Sequence, residues 1–221
     1  DLYQIHWPMP PENIQGAVAA LEELQAAGKI RALGMSNHGV KQMDALVWTG
    51  AAFASNQLCY NLLTRAIEFE VIPACKKYGM SIIAYMGLMQ GLLAGTYRSA
   101  EDVPGFRART RHFSAARGAR HGEPGHEGLT FETIARVRDI AQSLSVPMAT
   151  LSLAWVIARK PVASVLVGSR KPEQLARNLE AAALRLAPET IRALDEASEP
   201  LKKAMGPNID LWEGGERARS F

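Results

Sequence analysis

Hydrophobic and polar positions along the chain switch repeatedly between the period of a strand and that of a helix. Leu2, Gln4 and His6 alternate with Tyr3 and Ile5, and Pro8 ends the ladder just past the polar tip. Ile14, Val18, Leu21 and Leu24 then recur at helical spacing behind Pro10-Pro11-Glu12, with Gly28 placed to cap the helix. Lys29 to Met35 reads as strand, Val40 to Trp48 as helix, Phe53 to Cys59 as strand, Ile67 to Tyr78 as helix closed by Gly79, and Met80 to Tyr85 as strand. Helices are expected near 131–144 and 148–159, a strand from Val162 to Val167, and helices near 173–185 and 189–197. Five strands, each followed by helix across short connections, predict an α/β fold with a parallel sheet. One stretch breaks the rhythm: from about Arg98 to Gly128 the chain is rich in Gly, Arg and His and several-fold longer than a usual connection. No repeat and no Pro/Gly/Ser linker divides the rest, so 1–221 is expected to form a single domain with 98–128 as an inserted loop.

Composition adds limits. With 221 residues, 48% hydrophobic and 21% charged, the chain can bury one sizeable core. The net charge of +3 is local: residues 107–121 hold five arginines and no acid, which leaves the remainder at −2. That loop lacks interleaved aromatics, so it reads as a cover over a bound molecule or a solvated loop, and no nucleic-acid partner is expected. Cys59 and Cys75 form neither a disulfide framework nor a metal-ligand pair, which fits a reducing cytoplasm and no metal. No apolar run reaches membrane-spanning length, so no membrane partner is expected.

The chemistry collects at strand ends. G-x-G-x-x-G and G-x-x-x-x-G-K-[ST] are both absent, which disfavours a Rossmann sheet and a P-loop. Instead, every strand is followed by polar groups: His6, then Ser36-Asn37, Gln57, Tyr85 with Gln90, and Gly168-Ser169-Arg170-Lys171. In a (β/α)8 barrel such ends converge on one rim, where active sites form. The last cluster precedes a Pro-started helix, so free N–H groups, a close-approach glycine, a hydroxyl and two cations can together cradle a phosphate. Each group also has a plainer use: a structural histidine, a helix cap from Ser36-Asn37, a packed aromatic at Tyr85, an ordinary turn at 168–171.

The stretches LYQIHWP (2–8), GKIRALGMSNH (28–38), QLCYNLL (57–63), AYMGLMQGLLAG (84–95) and VGSRKPEQLARN (167–178) resemble, in order, those of the aldo-keto reductase family. The resemblance implies a TIM (β/α)8 barrel, present here as an incomplete barrel with strands 4 to 8 and their helices. It implies NADP(H) as cofactor and a small-molecule carbonyl substrate, an aldehyde or ketone reduced to an alcohol. Under it, His6 is the active-site histidine and Trp7 lines the substrate pocket. Ser36, Asn37 and Gln57 bind the nicotinamide carboxamide, and Tyr85 stacks on its ring. Leu88, Gln90, Gly91 and Leu92 line the pyrophosphate; Gly168, Ser169 and Arg170 hold the 2′-phosphate, with Gln174 and Asn178 near the adenine.

Two departures qualify that picture. Met86, Gly87, Met89 and Ala94 stand where the family has a Ser-Pro turn and other residues, which is expected to loosen the turn. The Asp, Tyr and Lys that complete the family's catalytic set lie on its first three βα units and have no counterpart in these 221 residues. Opening in mid-strand without a methionine, the chain is therefore read as the C-terminal portion of a longer enzyme, inactive alone, with two open sheet edges. A noncatalytic nicotinamide-binding regulatory subunit, or a truncated relic, is the alternative; oligomeric state is open.

Overall fold

The computed structural model describes residues 1–215 and 218–220. Its elements run β1 (Leu2–Ile5), α1 (Pro11–Ala26), β2 (Ala32–Ser36), α2 (Val40–Val47), β3 (Phe53–Cys59), α3 (Val71–Lys77), β4 (Ser81–Tyr85), α4 (Glu127–Ser143), α5 (Met148–Ile157), β5 (Val162–Val165), α6 (Pro172–Ala183) and α7 (Pro188–Met205). Short 3-10 turns occupy Ala66–Glu68, Met89–Ala94 and Ala115–Arg117.

Pro11 starts α1, where its fixed φ suits the first turn and its missing N–H costs nothing. Gly28 ends it in the left-handed region (φ 71°), and Lys29 donates back to the Leu24 carbonyl at 3.0 Å. Lys29 thereby belongs to the cap, and β2 starts at Ala32, later than the alternation predicts. The segment expected as one helix over 67–78 divides into the 3-10 turn and α3. At the other end α7 runs past 197 and through Pro200 to Met205, with Leu201 and Met205 buried.

All strand pairs are parallel, in the order β1-β2-β3-β4-β5. Parallel pairing puts every strand's C-terminal end on one side: Ile5 lies opposite Met35, Ser36 opposite Gln57, Cys59 opposite Tyr85, and Ala84 opposite Val165. Gly34 permits this packing, because a Cβ there would stand 2.8 Å from Ser55 Oγ and 3.0 Å from Gln4 Cγ. Among the described residues β1 and β5 are the sheet's two edges. Met35, Met43, Leu58, Ile82, Leu151 and Trp155 form part of one continuous core between the sheet and its helices. No single helix is long and apolar enough to cross a membrane among the described residues.

A buried ionic cluster fastens the 3-10 turn at 66–68 to α5 and α7. Arg65 binds Glu68 through Nε and Nη2 at 2.9 and 2.7 Å, and through Nη1 the Asp195 carbonyl and Ser198 Oγ. Tyr60 and Lys202 bind the same Glu68 carboxylate, and Arg159 pairs with the Asp195 carboxylate beside it. Burial opposes ionisation of Glu68, but the Arg65 guanidinium and the Tyr60 and Lys202 hydrogen bonds outweigh it and hold the carboxyl at about 2.

Candidate active site

Asn37 follows β2 with φ 61°, a conformation that asparagine tolerates better than most residues. Its side chain joins three strand ends. Nδ2 donates to the His6 carbonyl (3.0 Å) and to Ser36 Oγ (3.1 Å), while Oδ1 accepts from the Tyr85 hydroxyl (2.7 Å). Its backbone N–H donates to the Gln57 carbonyl at 3.0 Å, which also accepts from Ser36 Oγ at 2.9 Å. Neither Ser36 nor Asn37 caps α2; Gly39 is the N-cap, and its N–H donates to Gln42 Oε1. The side chains of Ser36, Asn37 and Tyr85 and the backbone carbonyls of His6 and Gln57 are thereby joined at the C-terminal ends of the strands, the mouth of the site. The Gln57 side chain is half-buried and makes no hydrogen bond among the described residues.

Burial, with Cys59 and Asp210 adding to it, pushes the Tyr85 phenol above its ordinary value. Tyr85 is thus a fixed hydrogen-bond donor to Asn37, unsuited to losing its proton. Beneath the mouth, burial drives His38 down to about 4 against the opposing hydrogen bond to Ser36. Its Nδ1 lies 2.7 Å from the Ser36 carbonyl, so the neutral ring carries its hydrogen there.

From Tyr85 the chain turns into a groove of about 1010 Å³. Met86, Met89, Gln90 and Gly91 all have positive φ, and this coiled turn is tied down by Asn61 Nδ2, which donates to the Met86 carbonyl at 3.0 Å. The departures at Met86 and Met89 thus leave a turn that is pinned from β3's end. Leu88, Gln90 and Gly91 line the groove on one side, and Gly168, Ser169, Arg170, Gln174 and Asn178 on the other. Leu92 does not: its side chain is buried in the core. Asn178 Nδ2 donates to Ser169 Oγ (3.0 Å), leaving the hydroxyl hydrogen free, and the Arg170 N–H donates to Gln174 Oε1 (2.9 Å). Free hydroxyl, helix N-terminus and guanidinium together suit an anionic, phosphate-bearing ligand.

Several groove and mouth residues escape sequence reading. Phe106 and Arg107, from the long loop, line the groove; Arg107 Nη1 donates to the Gln90 carbonyl and to Tyr97 Oη. Arg177 adds another cation. The remaining loop is not a solvated coil: Arg111 is buried against Glu123 and the Met205 and Asn208 carbonyls, and Phe113 and His112 are wholly buried. Behind α7 the tail returns to the mouth, where Ser220 Oγ donates to the Asn37 carbonyl at 2.5 Å. Arg219 there lies over the Trp7 ring at 3.8 Å, and Trp212 meets that ring edge-on at 6.3 Å. His6 and Trp7 sit side by side, ring centroids 6.2 Å apart. No group of three or more His, Cys, Asp or Glu side chains that could hold a metal occurs among the described residues.

Comparison with known proteins gives concordant results. The Aldo/keto reductase family profile matches residues 1–199. An NADH-specific methylglyoxal reductase of Escherichia coli is 30% identical over 213 residues, covering 92% of this chain and 60% of that protein. An aldo-keto reductase of Schizosaccharomyces pombe, labelled for NADP(+), is 26% identical over 90% of this chain and 57% of its own length. The crystallised glycerol dehydrogenase of Gluconobacter oxydans superposes with a TM-score of 0.75 at 27% identity, covering 94% of this chain and 60% of that one. The chain thus spans about three fifths of the length of these relatives.

Proposed function

We propose that this chain, which belongs to the aldo/keto reductase family, serves the NADP(H)-dependent reduction of an aldehyde or ketone to its alcohol, with the cofactor along the groove and the carbonyl at the mouth. The observation that carries this reading is the Asn37 side chain, which gathers the ends of β1, β2 and β4 and binds Tyr85, the residue before Met86 of the groove lining. When bound, the reduced nicotinamide supplies the hydride.

The chain's own residues bind and orient. His6 donates an imidazole N–H to the substrate carbonyl oxygen, and Trp7 walls the pocket. Hydrogen-bond accounting separates the carboxamide ligands. Both Asn37 Nδ2 hydrogens are already engaged, and the Ser36 hydroxyl donates to the Gln57 backbone carbonyl, so these two side chains offer acceptor lone pairs. Gln57 keeps both donor and acceptor and is the residue able to satisfy both ends of a carboxamide. Tyr85, anchored by its hydroxyl, presents a ring face for stacking. Burial raises its pKa and Asn37 holds its hydroxyl, both of which disfavour it as the proton donor, a role the resemblance gives to a tyrosine on one of the family's first three βα units. Leu88, Gln90 and Gly91 line the pyrophosphate. Ser169 and Arg170 hold the 2′-phosphate, Gly168 allows the approach, and Gln174 and Asn178 brace them beside the adenine. Cys59 and Cys75 are buried free thiols, in keeping with a reducing cytoplasm.

The test is a fluorescence titration of the chain with NADPH and with NADH. Arg170→Ala should weaken NADPH by about 10- to 100-fold, the worth of a hydrogen bond to a charged group, and NADH by less than about 2-fold. Equal weakening of both would overturn the 2′-phosphate assignment, and failure of wild-type protein to bind either would overturn the groove.

A further inference from the structure

We infer that Arg219 gives the mouth an anion-recognising wall, so that the carbonyl compound admitted there carries a carboxylate. This rests on the proposed reading that His6 and Trp7 face the substrate.

The anchor is Asp210, on the tail behind α7. Its carboxylate is fully buried and accepts the backbone N–H groups of Trp212, Glu213 and Arg219 at 3.1, 3.2 and 3.1 Å. It also takes the Arg219 guanidinium by one edge, Nε at 2.8 Å and Nη2 at 3.0 Å. An arginine of this exposure, 46% for the side chain, would ordinarily sweep through many rotamers. Here the ion pair fixes one edge of the plane, and the Trp7 ring, 3.8 Å from the guanidinium carbon, supports its face. Ser220, the next residue, is itself tied to Asn37.

What remains is a held fork with an unused side. Both Nη1 hydrogens and the second Nη2 hydrogen have no partner among the described residues. A planar pair of donors at fixed spacing matches a carboxylate's two oxygens. Glu213 is close enough to interact with the same cation, so two tail carboxylates balance its charge. Selectivity therefore comes from the fork's geometry and prior ordering, not from a broad positive field. The side chain lies over the aromatic ring next to His6, where the far end of a molecule with its carbonyl on His6 would reach it.

A matched pair of probes tests this: 4-carboxybenzaldehyde and its methyl ester share the ring and aldehyde and differ in charge. Each is titrated into the NADP⁺-bound chain, which cannot transfer hydride, with quenching of tryptophan fluorescence as the readout. The acid should bind at least about 10-fold more tightly than the ester, the worth of one charge-assisted contact. Arg219→Gln should bring that ratio toward one, and Arg219→Lys, which keeps charge but loses the fork, should restore only part of it. Equal affinities in wild-type protein, or a ratio that survives Arg219→Gln, would overturn the carboxylate inference while leaving the cofactor groove standing. Absence of NADP⁺ binding would instead overturn the reading of the groove, and this inference with it.

Discussion

Replacing Asn37 by alanine removes a side chain that joins three strand ends, and the structure sets the size of the damage. Three hydrogen bonds go at once: to the His6 carbonyl, to Ser36 Oγ and from the Tyr85 hydroxyl. At about 1 kcal/mol net for each, these account for roughly 3 kcal/mol. Alanine must also hold φ near 61°, where a Cβ crowds the carbonyl; asparagine relieves that through its local hydrogen bonds, so alanine adds about 1 kcal/mol. The sum of about 4 kcal/mol corresponds to a fall in Tm of roughly 8–16 °C for a domain of this size. Asn37→Gly separates the two contributions, since glycine loses the bonds but not the conformation, and should cost about 1 kcal/mol less than alanine. Urea unfolding followed by circular dichroism measures both variants. A loss below about 1 kcal/mol for alanine would refute the view of Asn37 as the knot of the mouth, and equal losses for alanine and glycine would refute the conformational share. Tyr85→Phe offers an internal check: made in the Asn37→Ala background it should cost almost nothing further, because its partner is already gone.

How much of the fold and site is legible in the sequence depends on the range of the interactions. The strands were legible because one face of each is buried and a period of two survives in sequence, as in Leu2 to His6. The cradle at 168–171 was legible because its glycine, hydroxyl, cation and helix start are contiguous. Asn37 is legible as a site residue but its hub geometry is not, since its partners lie 31 and 48 residues away and no local pattern encodes a hydrogen bond over that distance. The tail fared worst. Ser220 meets Asn37 across 183 residues, and Arg219 and Trp212 reach Trp7 from a stretch with no hydrophobic period to read. In the loop, the run of arginines reads as surface; Arg111 is buried because Glu123 and two carbonyls from the α7 end satisfy its guanidinium. Pairing of that kind converts a charge run into packed structure without leaving a compositional trace.

Two further perturbations probe the body of the fold. Arg65→Ala would leave Glu68 buried without its main partner, and the expected cost is about 3–5 kcal/mol in urea unfolding, typical of breaking a buried pair from one side. A cost below about 1 kcal/mol would mean that Lys202, 3.0 Å from Glu68, neutralises the cluster unaided. The second is acid. His38 and His112 are buried, and burial lowers each to about 4, from 6.5 in the unfolded chain. Above pH 6.5 neither state binds a proton at these rings, and the native state keeps its full stability. As pH falls from 6.5 toward 4 the unfolded chain takes up protons that the folded one refuses, so stability drops with falling pH, by about 3 kcal/mol for each ring at pH 4. Glu68, held at about 2, contributes stability that is intact above pH 4.5 and fades only below it, which leaves the window from 6.5 to 4.5 to the histidines. Urea midpoints at pH 7, 5.5 and 4.5 should therefore fall steadily. His112→Gln, whose amide can still donate toward the Leu63 carbonyl that the ring now faces at 2.9 Å, should flatten that fall by somewhat less than half, since burial lowers His126 as well as His38. An unchanged slope in the variant would place the acid sensitivity elsewhere in the molecule.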